Sequence, residues 1–328
     1  MHAGGKEVID HEPQVTPLPS RDVPPVSTAG QQTSGLAAGL GAFVLWGFLP
    51  LYFRAIGPQV SVWEVVAHRV IWAAALLGLF ALLTGRLGRV RAAFTDWRML
   101  LALAASAVCI AVNWLTFIWA VNHNQVLESS LGYYITPLFN VLMGMAFLGE
   151  RMRPLQYVAV GIATAGVILM IAAYGQVPWV ALTLAGAFAT YGLIRKQVPV
   201  DSATGLQVET LLLAPAALAL VGWLALHHQS AFFRGGPGLD LLLIGSGAVT
   251  VVPLVLFATG ARRLRLATIG LLQYITPTGH FLTGVFLFGE PFTAADGITF
   301  ACIWTGLAIY TADTLVAQRK LRRVYGDS

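Results

Sequence analysis

Apolar runs long enough to cross a lipid bilayer recur along nearly the whole of this chain. A bilayer core about 30 Å thick is crossed by a helix of about 20 apolar residues. Backbone polar groups inside lipid must bond within their own segment, so each run is predicted to be a helix. The sequence therefore predicts an all-α membrane protein with ten transmembrane helices. The runs lie at about residues 35–53, 62–83, 99–121, 128–148, 155–173, 178–194, 206–227, 239–260, 268–289 and 293–317.

Charge is too sparse in this chain to cover a water-facing surface. Only 11% of the residues are charged and 57% are hydrophobic, whereas soluble domains carry roughly a quarter charged residues. Membrane lipid is therefore the expected surrounding of most of the chain. The net charge of +5 does not point to nucleic acid as a partner, because the basic residues fall in short connections between apolar runs.

The two ends of the chain differ in composition from the apolar runs. Residues 1–34 are rich in Pro, Gly, Ser, Thr and Gln, which predicts a disordered, solvated tail. They lack the basic-then-apolar pattern of a cleaved signal peptide. Residues 318–328 form a second predicted tail. We assign no function to the N-terminal tail.

Basic residues are distributed unequally between alternate connections. The loops after the second, fourth, sixth and eighth spans, together with the C-terminal tail, hold fifteen Lys and Arg residues. The opposite loops hold Arg54 and Arg234. Because cytoplasmic loops of membrane proteins carry the excess of basic residues, both tails are predicted to be cytoplasmic. An even number of spans satisfies that arrangement.

An internal repeat divides the chain in two. Residues 133–150, YYITPLFNVLMGMAFLGE, match residues 273–290, QYITPTGHFLTGVFLFGE, at an offset of 140. A weaker match links AFVLWG with AFATYG at an offset of 145 and extends to Glu64 and Glu209. The predicted halves are residues 35–173 and 178–317, with five helices each. Because five is odd, the second half must enter the membrane from the opposite side.

The loop charges agree with inverted halves. Arg262 and Arg263 stand at the positions where the first half has Asn122 and His123. Inverted repeats are typical of secondary transporters, in which the two halves move against each other around a central site. A duplication with no role in transport is the alternative.

Several segments resemble one known family. They are AFVLWGFLPLYFR (42–54), EVVAHRVIW (64–72), residues 113–152, YGLIRK (191–196) and RRLRLATIGLLQYITPT (262–278). These segments are similar to the RarD proteins, in the EamA branch of the drug/metabolite transporter superfamily. The resemblance covers roughly residues 35–318. It implies a ten-helix permease of the bacterial inner membrane with two EamA repeats, and it carries a label related to chloramphenicol.

Three ionisable residues lie together in the second predicted span. Glu64 and His68 are spaced i, i+4 and share a helix face, and Arg69, the next residue, is offset from His68 by about 100°. Ionisable groups at membrane depth are costly, so the three predict a substrate or proton site. The alternative is an ion pair between Glu64 and Arg69 that fixes helix packing. Glu209, the counterpart of Glu64, is predicted to lie at the cytoplasmic interface.

The third predicted span carries Asn113 and Trp114 near its centre. Asn113 must form a hydrogen bond inside the membrane, and Glu64 is one possible partner. Trp114 is a candidate for the wall of an apolar cavity. The alternative for both residues is contact between helices without a transport role.

The fourth and ninth predicted spans carry polar residues and a proline in matching positions. A proline inside a helix removes a backbone hydrogen bond, and paired interruptions in two halves point to a transport site. Inherited kinks used only for packing are the alternative. The residues are Tyr133, Tyr134, Pro137 and Asn140 in the fourth span, and Gln273, Tyr274, Pro277 and His280, the counterpart of Asn140, in the ninth.

These patterns favour a secondary transporter of small organic metabolites or drugs. No catalytic residues, metal site or cofactor are predicted, and no phosphate-binding loop is present that would hold ATP. The expected partners are a small organic substrate and membrane lipid, with protons as a further partner if transport is proton-coupled. A membrane-embedded enzyme acting on a lipid or isoprenoid and a non-transporting membrane protein are the alternatives. The cargo, the direction of transport, the coupling and the oligomeric state stay open.

Overall fold

The computed structural model describes residues 29–148, 152–263 and 272–325. Regular structure within these ranges is entirely helical, which confirms the predicted all-α class. A short π-helical turn, Thr283–Leu287, follows the helix Ile275–Leu282. The helices are α1 (Ala29–Gly47), α2 (Leu49–Ile56), α3 (Val62–Leu83), α4 (Leu87–Thr95), α5 (Trp97–Asn122), α6 (Val126–Leu148), α7 (Pro154–Tyr174), α8 (Trp179–Gln197), α9 (Ser202–Leu226), α10 (Pro237–Arg263), α11 (Ile275–Leu282) and α12 (Ala294–Tyr325).

Six helical stretches in the described ranges are long and apolar enough to cross a membrane, and each coincides with a predicted span. Shorter apolar helices lie at Leu138–Phe147 and Trp179–Arg195. The predicted span 268–289 lies partly outside the described residues, and α12 covers the predicted last span. The six stretches are Thr33–Ile56, Val62–Leu83, Trp97–Asn122, Pro154–Ala173, Ala203–Leu226 and Pro237–Phe257.

Three segments differ from the sequence prediction. The first span is divided at Phe48, because α2 begins anew with Pro50 in its first turn; proline is favoured there since its missing N–H would be unpaired anyway. The basic connection after α3 contains the short helix α4, which buries Val90 and Ala93. Helix α12 continues to Tyr325, into the predicted C-terminal tail. Residues 1–28 of the predicted N-terminal tail lie outside the described residues.

Helices from the two predicted halves of the sequence pack mainly on each other. Helix α3 packs on α9 and α10, and α5 packs on α8 and α9. Helix α1 packs on α10 and α11, α6 packs on α8 and α11, and α7 packs on α12. The core therefore lies where helices of residues 29–174 meet those of residues 179–325.

Glycine lets two of these helices approach closely. A Cβ atom added at Gly279 of α11 would lie 2.8 Å from the Cα atom of Gly47 in α1. Small residues at membrane helix contacts permit this kind of backbone approach. The contact holds α11 against the end of α1.

The largest group of buried apolar side chains surrounds the middle of the molecule. It includes Phe53 of α2, Leu77 of α3, Trp114 and Phe117 of α5, and Leu243 of α10. The polar side chains described next are embedded in this apolar surrounding.

Candidate functional site

Arg69 lies at the centre of the apolar core. Its side chain projects from α3 and the residue is 4% exposed. The guanidinium Nε donates a 2.7 Å hydrogen bond to the Thr250 hydroxyl on α10. The guanidinium carbon lies 4.2 Å from the ring centroid of Trp114 and 5.5 Å from that of Phe53. Aromatic faces attract cations, so both rings stabilise the buried charge.

Asn113 and Tyr133 connect three helices beside Arg69. The Asn113 side-chain amide donates a 3.2 Å hydrogen bond to the Leu184 carbonyl of α8. The Tyr133 hydroxyl, from α6, donates a 3.1 Å hydrogen bond to Oδ1 of Asn113. Because Asn113 is buried, these two bonds satisfy polar atoms that would otherwise be costly in the membrane. The predicted contact with Glu64 is not among the hydrogen bonds of the described residues.

His280 of α11 completes this group of side chains. Its ring stacks on Phe117 at a centroid distance of 5.0 Å and meets Tyr133 edge-on at 5.4 Å. Nε2 lies 3.0 Å from the Trp46 carbonyl, so this nitrogen carries the proton that the carbonyl accepts. Nδ1 is buried without a hydrogen-bond partner in the described part of the chain.

We call these residues the central cluster. Arg69, Asn113, Trp114 and Tyr133 were candidate site residues from the sequence, and the structure brings them together. His280 was recognised as the counterpart of Asn140 in the repeat but was not chosen as a site residue. Thr250 was not recognised, since a single hydroxyl on a distant helix gives no local pattern. The central cluster consists of Arg69, Asn113, Trp114, Phe117, Tyr133, Thr250 and His280.

Glu64 lies apart from the central cluster and binds a loop. Its Oε1 accepts a 2.6 Å hydrogen bond from the Ser230 hydroxyl and a 2.9 Å bond from the Ala231 backbone N–H. A longer bond of 3.4 Å comes from the Phe232 N–H. Among the described residues, the ion pair of Glu64 with Arg69 that the alternative predicts is not formed. Arg69 follows Glu64 by five positions, about 140° around the helix, which places the two side chains on different faces of α3.

His68 shares the Glu64 face, as its i, i+4 spacing predicts. Nδ1 accepts a 3.3 Å hydrogen bond from the Trp72 indole N–H, and the ring centroid lies 4.7 Å from that of Phe232. Nε2 is buried and without a partner among the described atoms. His68 and Glu64 therefore face the loop between α9 and α10, while Arg69 faces the core.

Glu209, which is predicted to lie near the cytoplasmic interface, is fully buried within the protein. It accepts a 2.6 Å hydrogen bond from the Ser106 hydroxyl of α5 and a 3.3 Å bond from the Tyr191 hydroxyl of α8. Nε of Arg195 lies 3.6 Å from its carboxylate. A buried carboxylate needs such partners. This ion pair was not predicted from the sequence, because Arg195 was assigned to a connection, whereas α8 continues to Gln197.

Two further carboxylates accept hydrogen bonds from the N-termini of helices that are distant in sequence. Glu128 of α6 accepts a 2.9 Å hydrogen bond from the Val180 N–H at the start of α8. Glu290 accepts bonds of 2.8 and 2.7 Å from the N–H groups of Val126 and Leu127 at the start of α6. The first N–H groups of a helix lack partners within it and favour negative charge. These carboxylates border a cavity of about 410 Å³.

The remaining residues singled out in the fourth span lie away from the central cluster. The Tyr134 hydroxyl is 2.6 Å from the Thr278 hydroxyl, and its ring packs on Phe300 and Trp304 of α12. Asn140 is exposed. Helix α6 runs without a break past residue 137, and the side chain of Pro137 lies outside the described residues.

The ninth span is interrupted before its proline. Gln273 and Tyr274 form a turn, and α11 begins at Ile275, so Pro277 lies in the first helical turn. Proline costs no hydrogen bond in that turn. Its carbonyl accepts a 2.7 Å bond from the Ser130 hydroxyl of α6. Pro277 thus links α11 to α6 through its carbonyl.

The described residues hold no group of three or more His, Cys, Asp or Glu side chains that could bind a metal ion. Both cysteines, Cys109 and Cys302, are free thiols.

Comparison with known proteins identifies relatives over most of the chain. Residues 33–172 match the EamA-like transporter family. An uncharacterized transporter of Vibrio cholerae is 44% identical over 289 residues, which are 88% of this chain and 95% of that protein. Protein RarD of Escherichia coli is 41% identical over 292 residues, which are 89% of this chain and 98% of that protein.

A solved crystal structure, described only as that of a protein, shares the fold. It is 20% identical in sequence with a TM-score of 0.56, and the match covers 88% of this chain and 98% of that one. The several apolar helices and the bacterial relatives indicate a multi-pass bacterial membrane protein. From the family match and the identity to RarD over most of its length, the chain belongs to the RarD-like branch of the EamA-like transporter family.

Proposed function

We propose that this chain is a secondary transporter that moves small organic metabolites or drugs across the bacterial inner membrane by alternating access. The central cluster is the observation that carries the proposal. It combines a buried cation, a buried amide and several aromatic rings where helices of both halves meet. Polar groups are expensive at membrane depth and mark transport pathways there.

The proposal takes residues 35–173 and 178–317 as two inverted repeats of five spans, with both termini in the cytoplasm. The helix contacts support this division. In several cases a helix of the first half packs on a helix of the second half, and the two corresponding helices of the opposite halves are also in contact. Helix α5 packs on α8 as α10 packs on α1, and α6 packs on α8 as α11 packs on α1. Helix α3 packs on α10 as α9 packs on α5.

Alternating access needs a closure at each end that can open. The corresponding residues Glu64 and Glu209 supply two such contacts between the halves. Glu64 of the first half binds Ser230 of the second, and Glu209 of the second half binds Ser106 of the first. In this proposal the Glu64 contact closes the periplasmic end and the Glu209 contact closes the cytoplasmic end.

Proton coupling and uniport are two versions of the proposal. Coupling would use Glu64 or His68, which lie together at the periplasmic closure. The Glu64 carboxylate already accepts several hydrogen bonds there, and protonation would remove part of that acceptor capacity. A proton could thus release the loop.

Flux measured in proteoliposomes tests the proposal. Purified full-length protein would be assayed for uptake and efflux of a metabolite and drug panel that includes chloramphenicol, with and without a pH gradient. We expect at least one solute to move faster than in protein-free liposomes. If none does, transport of that panel is excluded. Flux that ignores the pH gradient and survives both Glu64→Gln and His68→Ala would favour uniport.

Reporter fusions test the inverted halves separately. A reporter placed in the connection at residues 198–201, between α8 and α9, is expected on the cytoplasmic side. A periplasmic signal from this connection would contradict the inverted arrangement.

A further inference from the structure

Arg69 is a buried cation without a carboxylate partner in the described part of the chain. The ion pairs found there involve other arginines. The guanidinium forms one hydrogen bond among the described residues, from Nε to Thr250. Its two terminal nitrogens carry four further N–H groups for which these residues supply no acceptor. Arginine therefore keeps the planar fork that binds a carboxylate with two parallel hydrogen bonds.

The groups around Arg69 offset only part of the free-energy cost of burying its charge. Trp114 and Phe53 stabilise the charge through their ring faces. The free-energy cost of burying an unpaired charge is larger than the stabilisation that aromatic rings supply. Glu64 on the same helix is engaged by the loop at Ser230.

We propose that Arg69 binds the anionic group of the transported molecule, a carboxylate or an oxyanion of similar shape, while Trp114 and Phe53 contact its apolar body. The substrates are then small organic anions with an aromatic or other apolar part. This inference rests on the proposed function and names the substrate class of the same site.

A basic cavity on the side of the α9 start supports an anionic substrate. It has a volume of about 250 Å³, and its described lining includes Arg86 and Arg263 together with Leu254 of α10, and no acidic side chain. Leu254 follows Thr250 by one helical turn, so the cavity approaches the residue that holds Arg69. Basic walls raise the local concentration of anions.

His280 gives an independent indication of a ligand. It is 1% exposed, and its Nδ1 has no partner among the described residues. The ring stacks on Phe117, which in turn contacts Phe53 at a centroid distance of 6.0 Å. Buried polar atoms are normally paired. A hydrogen-bond donor on the bound molecule would satisfy Nδ1.

Matched acids and amides separate charge from shape in a binding experiment. The probes are benzoate against benzamide, phenylacetate against phenylacetamide, and 3-phenylpropionate against its amide. Each is added to the purified full-length protein in detergent at neutral pH, and the thermal unfolding midpoint is recorded. Ligands that bind the folded state raise this midpoint. We expect the acids to bind at least about tenfold more tightly than their amides, a difference of about 1.4 kcal/mol.

Variants identify Arg69 as the source of the preference. Arg69→Gln is expected to abolish the preference for acids over amides. Arg69→Lys should keep part of this preference, because lysine has the charge but lacks the planar fork of arginine. Thr250→Val removes the bond to Nε without removing the charge, and should weaken acid binding by about threefold. If Arg69→Gln does not fold, Thr250→Val provides the test. Arg98→Gln, at an exposed position of α5, is the control and should keep the preference.

The outcomes separate this inference from the proposed function. If no acid binds better than its amide, or if the preference survives Arg69→Gln and Thr250→Val, the anion proposal is wrong even when neutral solutes are transported. If acids bind through Arg69 and no solute of the panel crosses proteoliposomes, the proposed transport is wrong and the anion site stands.

Discussion

The Glu64 carboxylate accepts a 2.6 Å hydrogen bond from the Ser230 hydroxyl, which ties α3 to the loop between α9 and α10. The neighbouring N–H groups of Ala231 and Phe232 bind the same carboxylate. Within the proposed mechanism this contact must break each time the periplasmic end opens. The stability of this contact can be measured through the hydrogen exchange of the loop.

Glu64→Gln is predicted to loosen this loop. Glutamine keeps one acceptor oxygen and turns an amide NH₂ toward the N–H donors, so hydrogen bonds to the charged group, worth about 1.5–3 kcal/mol each, are lost. Amide hydrogen exchange over residues 227–236 should become at least about tenfold faster. Glu128→Gln is the matched control, because Glu128 binds the start of α8 instead. It should accelerate exchange near Val180 and leave 227–236 unchanged; the opposite pattern would contradict the assignment.

Substitutions of Glu209 and Arg195, which form a buried ion pair, are predicted to have non-additive effects on stability. Removing one partner leaves an uncompensated charge, which costs about 3–5 kcal/mol, whereas replacing both by apolar residues is often close to neutral. Glu209→Leu and Arg195→Met should each lower the thermal midpoint strongly. The double variant should be more stable than either single one. Additive losses would show that the two side chains do not depend on each other.

The carboxylate of Asp201 caps α9. It accepts bonds of 3.1 Å from the Thr204 N–H and 2.7 Å from the Thr204 hydroxyl. Asp201→Ala should destabilise the protein by about 1 kcal/mol, and Asp201→Asn by less, because asparagine also caps helices. Thermal unfolding of the purified variants in detergent checks this order.

The same residue predicts a pH dependence. Burial raises the pKa of Asp201, but hydrogen bonds from Thr204 and the charges of Arg86 and Arg89 lower it more, so the pKa lies below its ordinary value of 3.8. A lowered carboxyl pKa stabilises the folded state above the ordinary value, and this stabilisation is lost as the pH falls through the folded-state pKa. The stability difference between wild type and Asp201→Asn should therefore persist at neutral pH and shrink as the pH falls below 3.8. A difference that grows on acidification would refute it.

Gly279→Ala is predicted to separate α1 from α11. The added methyl group would lie 2.8 Å from Gly47 Cα and 2.9 Å from its carbonyl oxygen, both backbone atoms that cannot rotate away. Overpacking of this kind costs about 1–3 kcal/mol. Gly222→Ala on α9 is the control, since a Cβ there meets nothing within 4 Å. Equal thermal midpoints for the two variants would count against the close approach.

The helical class and most helix positions could be predicted from the sequence, because span length and apolarity are local properties. The division at Phe48 follows from Pro50 and was missed, since the apolar run continues across it. Helix α4 was missed for the converse reason. Its arginines are typical of a connection between spans, and its buried residues are Val90 and Ala93.

The candidate site could be predicted in part. Arg69, Asn113, Trp114 and Tyr133 were recognisable because polar or amphipathic residues stand out in apolar spans. Their partners were not, because Thr250 lies 181 residues from Arg69 and a single hydroxyl on a helix carries no pattern. Such pairings depend on which helices pack together.

Glu64 shows a further limit of sequence interpretation. Its nearest charged neighbours in sequence suggested an ion pair, yet its partners are a serine hydroxyl and backbone N–H groups of a distant loop. Backbone donors are present at every non-proline residue, so no residue type in that loop signals them.

Transport through the central cluster is tested most directly by comparing two tryptophans of α5 in proteoliposomes. Trp114 is 7% exposed and lies under Arg69, whereas Trp97 at the start of the helix is 68% exposed. For any solute that the wild type moves, Trp114→Ala is expected to reduce the initial flux at least about tenfold, the loss that corresponds to about 1.4 kcal/mol. Trp97→Ala, reconstituted to the same density, should transport as the wild type does. Undiminished flux through folded Trp114→Ala protein would contradict a pathway through the central cluster.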